Sequence, residues 1–306
     1  MKAPNMQHWA GFVQSEHKNQ KTRKLTRTMI RTIAGYDLIS EGDKILVAVS
    51  GGKDSYTLVD LLWQAKRKAP FSFDIIAVHL DQAQPGYNGK SLQQWFEKSE
   101  IPFQILHEDT YTTVKANTKE GRAYCSLCSR LRRGILYTAA HKLGCNKIAL
   151  GHHRDDTLET LLLNLFYAGK LQAMPAKYRT DDGGLEVIRP LIECSEQEIL
   201  SHANRLAYPI LPCNLCGSQD GLKRITMKKL LKNLECDIPD LRSVMLHALQ
   251  NIQPTHMLDK DVAKAWQQRE KSIRPEKLTP RKLGKFCGEI VSISSKNTAV
   301  PILNNP

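Results

Sequence analysis

The sequence predicts an α/β fold: a doubly wound parallel sheet with a small helical appendage on its C-terminal side. Three observations lead there. Apolar runs of strand length alternate with stretches of helical periodicity between Lys44 and Arg189. The first apolar run passes straight into a glycine-bearing turn that opens a helix. Beyond Cys216 the strand signals stop and only helical patterns remain.

Lys44-Ile-Leu-Val-Ala-Val49 reads as a buried parallel strand, being apolar on both faces. A helical pattern through Tyr56, Leu58, Leu61 and Leu62 follows, then a second apolar run from Asp74 to Asp81, which makes a βαβ unit. The alternation continues with a helix at Leu92–Lys98, a strand at Phe103–Leu106, a helix at Cys128–Leu143 and a strand at Lys147–Leu150. A helix at Asp156–Tyr167 and a strand at Glu186–Arg189 complete it. Met227–Leu234 and Leu241–Ile252 read as the helices of the appendage. These patterns divide the chain into a basic helical segment (1–40), a catalytic sheet domain (41–216), the appendage (217–255) and a polar tail (256–306), whose end from Ser292 reads as loose.

With 306 residues the chain is long enough to bury a full core. Its 44 Lys and Arg against 31 Asp and Glu give a net charge of +13, which favours polyanionic partners such as nucleotides and nucleic acid. No apolar stretch has the length of a membrane span, and Met1–Gln20 lacks the apolar core of a signal peptide, so a cytoplasmic protein is expected. Leu25, Met29 and Ile33 recur every four residues in a basic segment, a pattern expected to dock on the protein's own core rather than on a membrane. Eight cysteines without an export signal are expected to be reduced thiols. Cys145, Cys194, Cys236 and Cys287 stand alone and read as small buried hydrophobes.

Ser50-Gly51-Gly52-Lys53-Asp54-Ser55, between the first strand and its helix, has the chemistry of an anion cradle. Glycines let backbone N–H groups approach a phosphate, the helix points its positive end there, and Ser50, Ser55 and Lys53 add donors and charge. Asp54 in the first turn suits the helix dipole or Mg2+. The spacing is not that of a Walker loop, since no glycine stands five residues before Gly52. The hexapeptide resembles the PP-loop of the ATP pyrophosphatase superfamily. That resemblance implies cleavage of ATP between its α and β phosphates, with Ser50 to Ser55 on the pyrophosphate portion and the end of the second strand, His79 to Asp81, towards adenosine.

The fourth strand ends in Gly151-His152-His153-Arg154-Asp155-Asp156, which looks like a second signature of the superfamily. Asp155 and Asp156 are expected to hold Mg2+ or assist proton removal, with Asp156 the stronger candidate, and His152, His153 and Arg154 to offset phosphate charge.

Cys125 and Cys128 form one C-x-x-C, Cys213 and Cys216 another. The separation of 85 residues between Cys128 and Cys213 is far beyond the roughly fifteen to twenty of a zinc ribbon. Either pair alone could be a redox dithiol. The wider sequence is similar to the tRNA 2-thiocytidine synthetases, the TtcA family. The matching stretches are Ser50–Tyr56, Leu80–Gln82 with Gln84–Gly86, Cys125–Tyr137, Ile148–Asp156, Ile188–Leu191 and Ile210–Gln219.

The resemblance implies an ATP-dependent sulfurtransferase that adenylates the C2 oxygen of cytidine 32 in the tRNA anticodon loop and replaces it with sulfur. It implies a [4Fe-4S] cluster held by three thiolates, Cys125, Cys128 and one of the second pair. Cys216 is chosen as the third, because Gly217 would allow close backbone approach. One iron is left open, and either that iron or a persulfide on the spare Cys213 would deliver the sulfur. Arg132, one helical turn after Cys128, would face developing charge or else belong to a basic surface. The partners implied are tRNA and a cysteine desulfurase; a homodimer is compatible with the sequence. Lys18–Arg31, Lys223-Arg224 and Lys228-Lys229 are candidate tRNA contacts. The competing readings are lysidine synthetase, a uridine thiolase, and a non-catalytic zinc-stabilised RNA-binding module.

Overall fold

The computed structural model describes residues 20–117, 124–181, 183–211 and 219–268. Its described residues up to Asn251 form one compact unit, and those from Ile252 a second.

Helix α1 (Gln20–Gly35) leads into β1 (Lys44–Val49), α2 (Lys53–Lys66), β2 (Asp74–Asp81), α3 (Lys90–Ser99) and β3 (Phe103–His107). Next come α4 (Thr110–Asn117), α5 (Tyr124–Lys142), β4 (Lys147–Ala149) and α6 (Arg154–Leu163), which continues as a π-helical turn (Asn164–Ala168). Then follow β5 (Lys177–Arg179), β6 (Glu186–Ile188), α7 (Glu196–Leu206), α8 (Gln219–Asp237) and α9 (Leu241–Gln250). The sheet order is β3-β2-β1-β4-β6-β5. All neighbours pair in parallel except β5, which runs antiparallel to β6 at the edge.

Strand pleating divides the core in two, since successive side chains point to opposite faces. Ile45, Val47, Val49, Ile75 and Ala77 face a large cluster built with α1, α2, α3 and α7. Leu46 and Val78 face a smaller one under α5, with Leu136, Ala139 and Ala140. Helices thus cover both faces, as expected. Leu25, Met29 and Ile33 of α1 are fully buried in the larger cluster, so the N-terminal amphipathic pattern serves the protein's own core. The appendage helices α8 and α9 bury Met227, Leu231 and Leu241 against Leu158 and Leu162 of α6.

Several elements depart from the sequence reading. Helix α7, opened by a capping box between Ser195 and Glu198, was not foreseen, nor were α4 and β5. Helix α5 starts a turn early and takes Cys125 and Cys128 into its first two turns. The stretch read as a polar tail opens with a 3-10 turn (Pro254–His256) and a helix, α10 (Lys260–Gln268). Cys145 and Cys194 are buried as expected, but Cys236 is exposed at the end of α8 because that turn of the helix faces solvent. Cys287 and the stretch from Ser292 lie outside the described residues. No helix among those described is long and apolar enough to cross a membrane.

Candidate active site

The sheet order reverses between β1, whose next strand lies on one side, and β4 on the other. Ligands of open α/β sheets bind at such a switch point, beyond the carboxyl ends of the strands. Here that place is a cavity of about 750 Å³, a volume that suits a nucleotide-sized ligand.

Its floor is the turn after β1. Gly51 has φ +83°, a left-handed conformation that favours glycine, and this folds the turn back onto the helix start. The Ser55 hydroxyl donates to the Gly52 carbonyl (2.8 Å) and accepts from the Ser50 N–H (3.2 Å), closing the loop on itself. Ser50, Gly52, Asp54 and Ser55 line the cavity. Gly151, after β4, sits so close that a Cβ there would lie 3.1 Å from the Asp54 carbonyl carbon and 3.2 Å from the Ser55 nitrogen. The two signatures therefore meet as one floor.

Three expectations need correction here. The Lys53 ammonium is not on the cavity: it is held by Asp54 (2.9 Å) and by Glu196 at the start of α7 (3.3 Å). Burial alone would lower its pKa, but the two carboxylates raise it. Gly51 is not a lining residue either; the place of its missing side chain is filled by Leu211. Asp155, expected beside Asp156, is buried away from the cavity. One of its oxygens accepts from the Glu196 N–H (2.8 Å) and the other from Arg242 (2.7 Å), so it ties α7 and α9 to the start of α6.

Asp156 does reach the cavity. His153 caps α6: its Nδ1 accepts from the Asp156 N–H, while Asp156 accepts from the His153 N–H (3.1 Å). With Nδ1 accepting, the ring proton sits on Nε2, which lies 3.6 Å from Asp54 and 3.5 Å from Asp156. The imidazole thus stands between the two cavity carboxylates. His152 lines the cavity, but burial and the nearby Arg189 push its pKa down to about 4, so at neutral pH it carries no charge for phosphates. Arg154 turns away from the cavity to Ser243 and Asp155. Arg224, expected as a candidate tRNA contact, reaches in from α8 to within 3.5 Å of Asp156.

The wall on the β2 side is fixed by His79. Its Nδ1–H donates to the Val49 carbonyl (2.7 Å) and its Nε2 accepts from the Tyr87 hydroxyl (2.6 Å). Burial lowers the His79 pKa and raises that of Tyr87 to about 12, so both stay neutral. The opposite wall comes from α5, with Ser129, Arg132 and Arg133, and from Tyr178 and Arg189 on the β5–β6 edge. Tyr87, Tyr178 and Arg189 were missed as site residues; the Gln84–Gly86 match beside Tyr87 and the Ile188–Leu191 match around Arg189 were the sequence signals near them. Four arginines against two carboxylates make the lining net positive.

Cys128 adjoins this cavity. Its thiol is half-buried and donates to Gln82 Oε1 (3.3 Å), a lining residue. Cys125 lies in the first turn of the same helix. On the other side, the Leu211 N–H donates to the Gly51 carbonyl (2.9 Å), so the chain is laid on the loop two residues ahead of Cys213. Cys213 and Cys216 themselves lie outside the described residues. Among the described residues, no group of three or more His, Cys, Asp or Glu is placed to hold a metal.

Comparison with known proteins agrees with this geometry. Residues 16–215 match the PP-loop domain family. The chain is 49% identical over 246 residues to a tRNA-cytidine(32) 2-sulfurtransferase of Tolumonas auensis, covering 80% of this chain and 82% of that one. It is 48% identical over 240 residues to the protein of that name from an Anaeromyxobacter species, covering 78% and 82%. A U34-tRNA thiolase, NcsA from Methanococcus maripaludis, solved with its [4Fe-4S] cluster, has the same fold: TM-score 0.60, 24% identity, 76% of this chain and 80% of that one. The chain belongs to the PP-loop family and, within it, to the tRNA-cytidine(32) 2-sulfurtransferases.

Proposed function

We propose that this chain replaces the C2 oxygen of cytidine 32 in tRNA with sulfur, after activating that oxygen with ATP. The observation that carries the reading is the shared cavity. Its floor is the phosphate loop, its wall is the helix that begins with Cys125 and Cys128, and the segment leading to the second cysteine pair is hydrogen-bonded to that loop.

The cytosine O2 attacks the α-phosphorus of ATP, the bond to the bridging oxygen breaks, and pyrophosphate leaves. The loop N–H groups with Ser50 and Ser55 hold the pyrophosphate portion, at the positive end of α2. Mg2+ characteristically takes one or two carboxylates and completes its shell with phosphates and water. Asp54 and Asp156 are the carboxylates on this cavity that fit that role. Adenylation leaves positive charge on the base, which Asp156 offsets, while Arg132 and Arg224 stabilise the charge that develops at phosphorus. Sulfur at the sulfide level then adds to C2, and AMP departs with the oxygen.

A [4Fe-4S] cluster fits the thiolates present: Cys128 lies beside the cavity, Cys125 precedes it on the same helix, and Cys216 would complete three, leaving Cys213 off the cluster. When bound, such a cluster supplies an iron with an open coordination position. A cysteine desulfurase as sulfur source and a cytoplasmic setting belong to the same proposal.

The test is anaerobic reconstitution followed by nucleoside analysis of unmodified tRNA incubated with ATP and a sulfur source. 2-Thiocytidine at position 32 that depends on ATP is the expected product. Lysidine, thiouridine, or no modified base from brown, ATP-binding protein would sink the reading. Colourless protein with stoichiometric zinc would favour the binding-module alternative.

A further inference from the structure

We propose that the π-helical turn closing α6 is a stacking platform for unpaired bases of the RNA whose target base enters the cavity; this rests on the tRNA reading above. Four large apolar side chains stand in solvent there: Leu165, Phe166, Tyr167 and Leu171 are 45, 55, 54 and 61% exposed. They do not belong to a frayed helix end. The Asn164 amide donates to the Gln172 carbonyl (2.8 Å), the Lys170 N–H donates to the Asn164 carbonyl (3.0 Å), and Gly169 at φ +62° turns the chain between them. Underneath, Leu162 and Leu163 are packed into the α6–α8–α9 cluster, so the apolar turn is mounted on a fixed support. π-Helical segments and contiguous exposed apolar patches both concentrate at functional sites.

Charge and position select the occupant. The Lys223 ammonium stands over the Tyr167 ring, 4.8 Å from its centroid, and Lys170 lies within the turn. Aromatic rings interleaved with cations are what single-stranded nucleic acid uses, bases on the rings and phosphates on the cations. The patch is also continuous with the cavity: Arg224, the neighbour of Lys223, lines the cavity and lies 3.5 Å from Asp156. Tyr167 stands eleven positions beyond Asp156 along α6 and its π-turn, about 16 Å at the helical rise. A loop whose target base is in the cavity therefore has other unpaired bases within reach of Phe166 and Tyr167.

The experiment measures binding of the full chain to unmodified tRNA, at one fixed salt concentration, for wild type, Tyr167→Phe and the double variant Phe166→Ala/Tyr167→Ala. Kd is expected to rise at least about tenfold in the double variant and to stay within about twofold in Tyr167→Phe. The KM for tRNA should rise with it, while ATP affinity and binding to a plain RNA duplex are unchanged. An unaltered Kd for tRNA, or an equal loss towards the duplex, overturns the platform. So does a changed oligomeric state in light scattering with tRNA affinity intact, which would make the patch a contact between copies. Wild-type protein that binds tRNA but makes no 2-thiocytidine bears on the reaction instead. A double variant that binds tRNA as tightly as a thiolating wild type bears on the platform alone.

Discussion

Replacing Asp155 by Asn removes one of the two carboxylates on the largely buried Arg242 guanidinium, the one 2.7 Å away, and leaves Glu235 as its remaining counter-charge. Breaking such a buried pair costs about 3 kcal/mol, which a shift in the urea midpoint should show, while ATP affinity of the folded protein changes little. Asp156→Asn should do the reverse, keeping stability near wild type and lowering the thiolation rate by about a hundredfold. Glu159 adds a pH effect. Burial, reinforced by Asp156, raises its pKa from the ordinary 4.5 to about 7. The folded state therefore binds more protons than the unfolded one across that interval, and stability contributed by this group is complete below pH 4.5 and lost as pH rises through 7. Urea midpoints taken between those limits should fall with pH less steeply in Glu159→Gln than in wild type.

Elements meet at contacts as tight as residues do. Gly151→Ala would press a methyl group against the backbone of Asp54 and Ser55, neither of which is a flexible side-chain tip. The loop after β4 must then retreat from the phosphate loop, costing about 1–3 kcal/mol of stability and roughly tenfold in ATP affinity, measurable by thermal melting and nucleotide titration. Strands β1, β2 and β4 and helices α2 and α3 were legible because their apolar runs and periodicities are strong. Helix α7 was overlooked although Ser195 and Glu198 spell a capping box, because its buried face of Ile199, His202 and Ala203 is too polar and small to read as an apolar stripe. Strand β5 is three residues on a sheet edge, too short for alternation to register. The fate of Lys53 was illegible for another reason: Glu196, its partner, lies 143 positions away and is delivered only by the fold.

The molecule as a whole separates two chemical tasks on one cavity, and a variant should separate them in turn. Cys128→Ala should abolish 2-thiocytidine in cellular tRNA yet keep ATP affinity within about twofold, since that thiol is hydrogen-bonded to Gln82 on the wall of the cavity. Undiminished thiocytidine would remove the cysteine from the reaction. The sequence motifs named both tasks but not their common wall. Arg189, Tyr178 and Arg224 arrive from the sheet edge and the appendage, and no local pattern marks a side chain whose role is set by tertiary placement.

The bond from the Leu211 amide to the Gly51 carbonyl has a thermodynamic corollary. A nucleotide that tightens the phosphate loop pulls on the strand of backbone feeding Cys213, and whatever restrains those thiols pulls back on the loop. Linkage makes the two influences equal in size: the factor by which a bound metal centre alters ATP affinity is the factor by which ATP alters retention of that centre. Titrating ATP into brown and into chelator-bleached protein measures the first, and the rate-independent extent of bleaching with and without ATP measures the second.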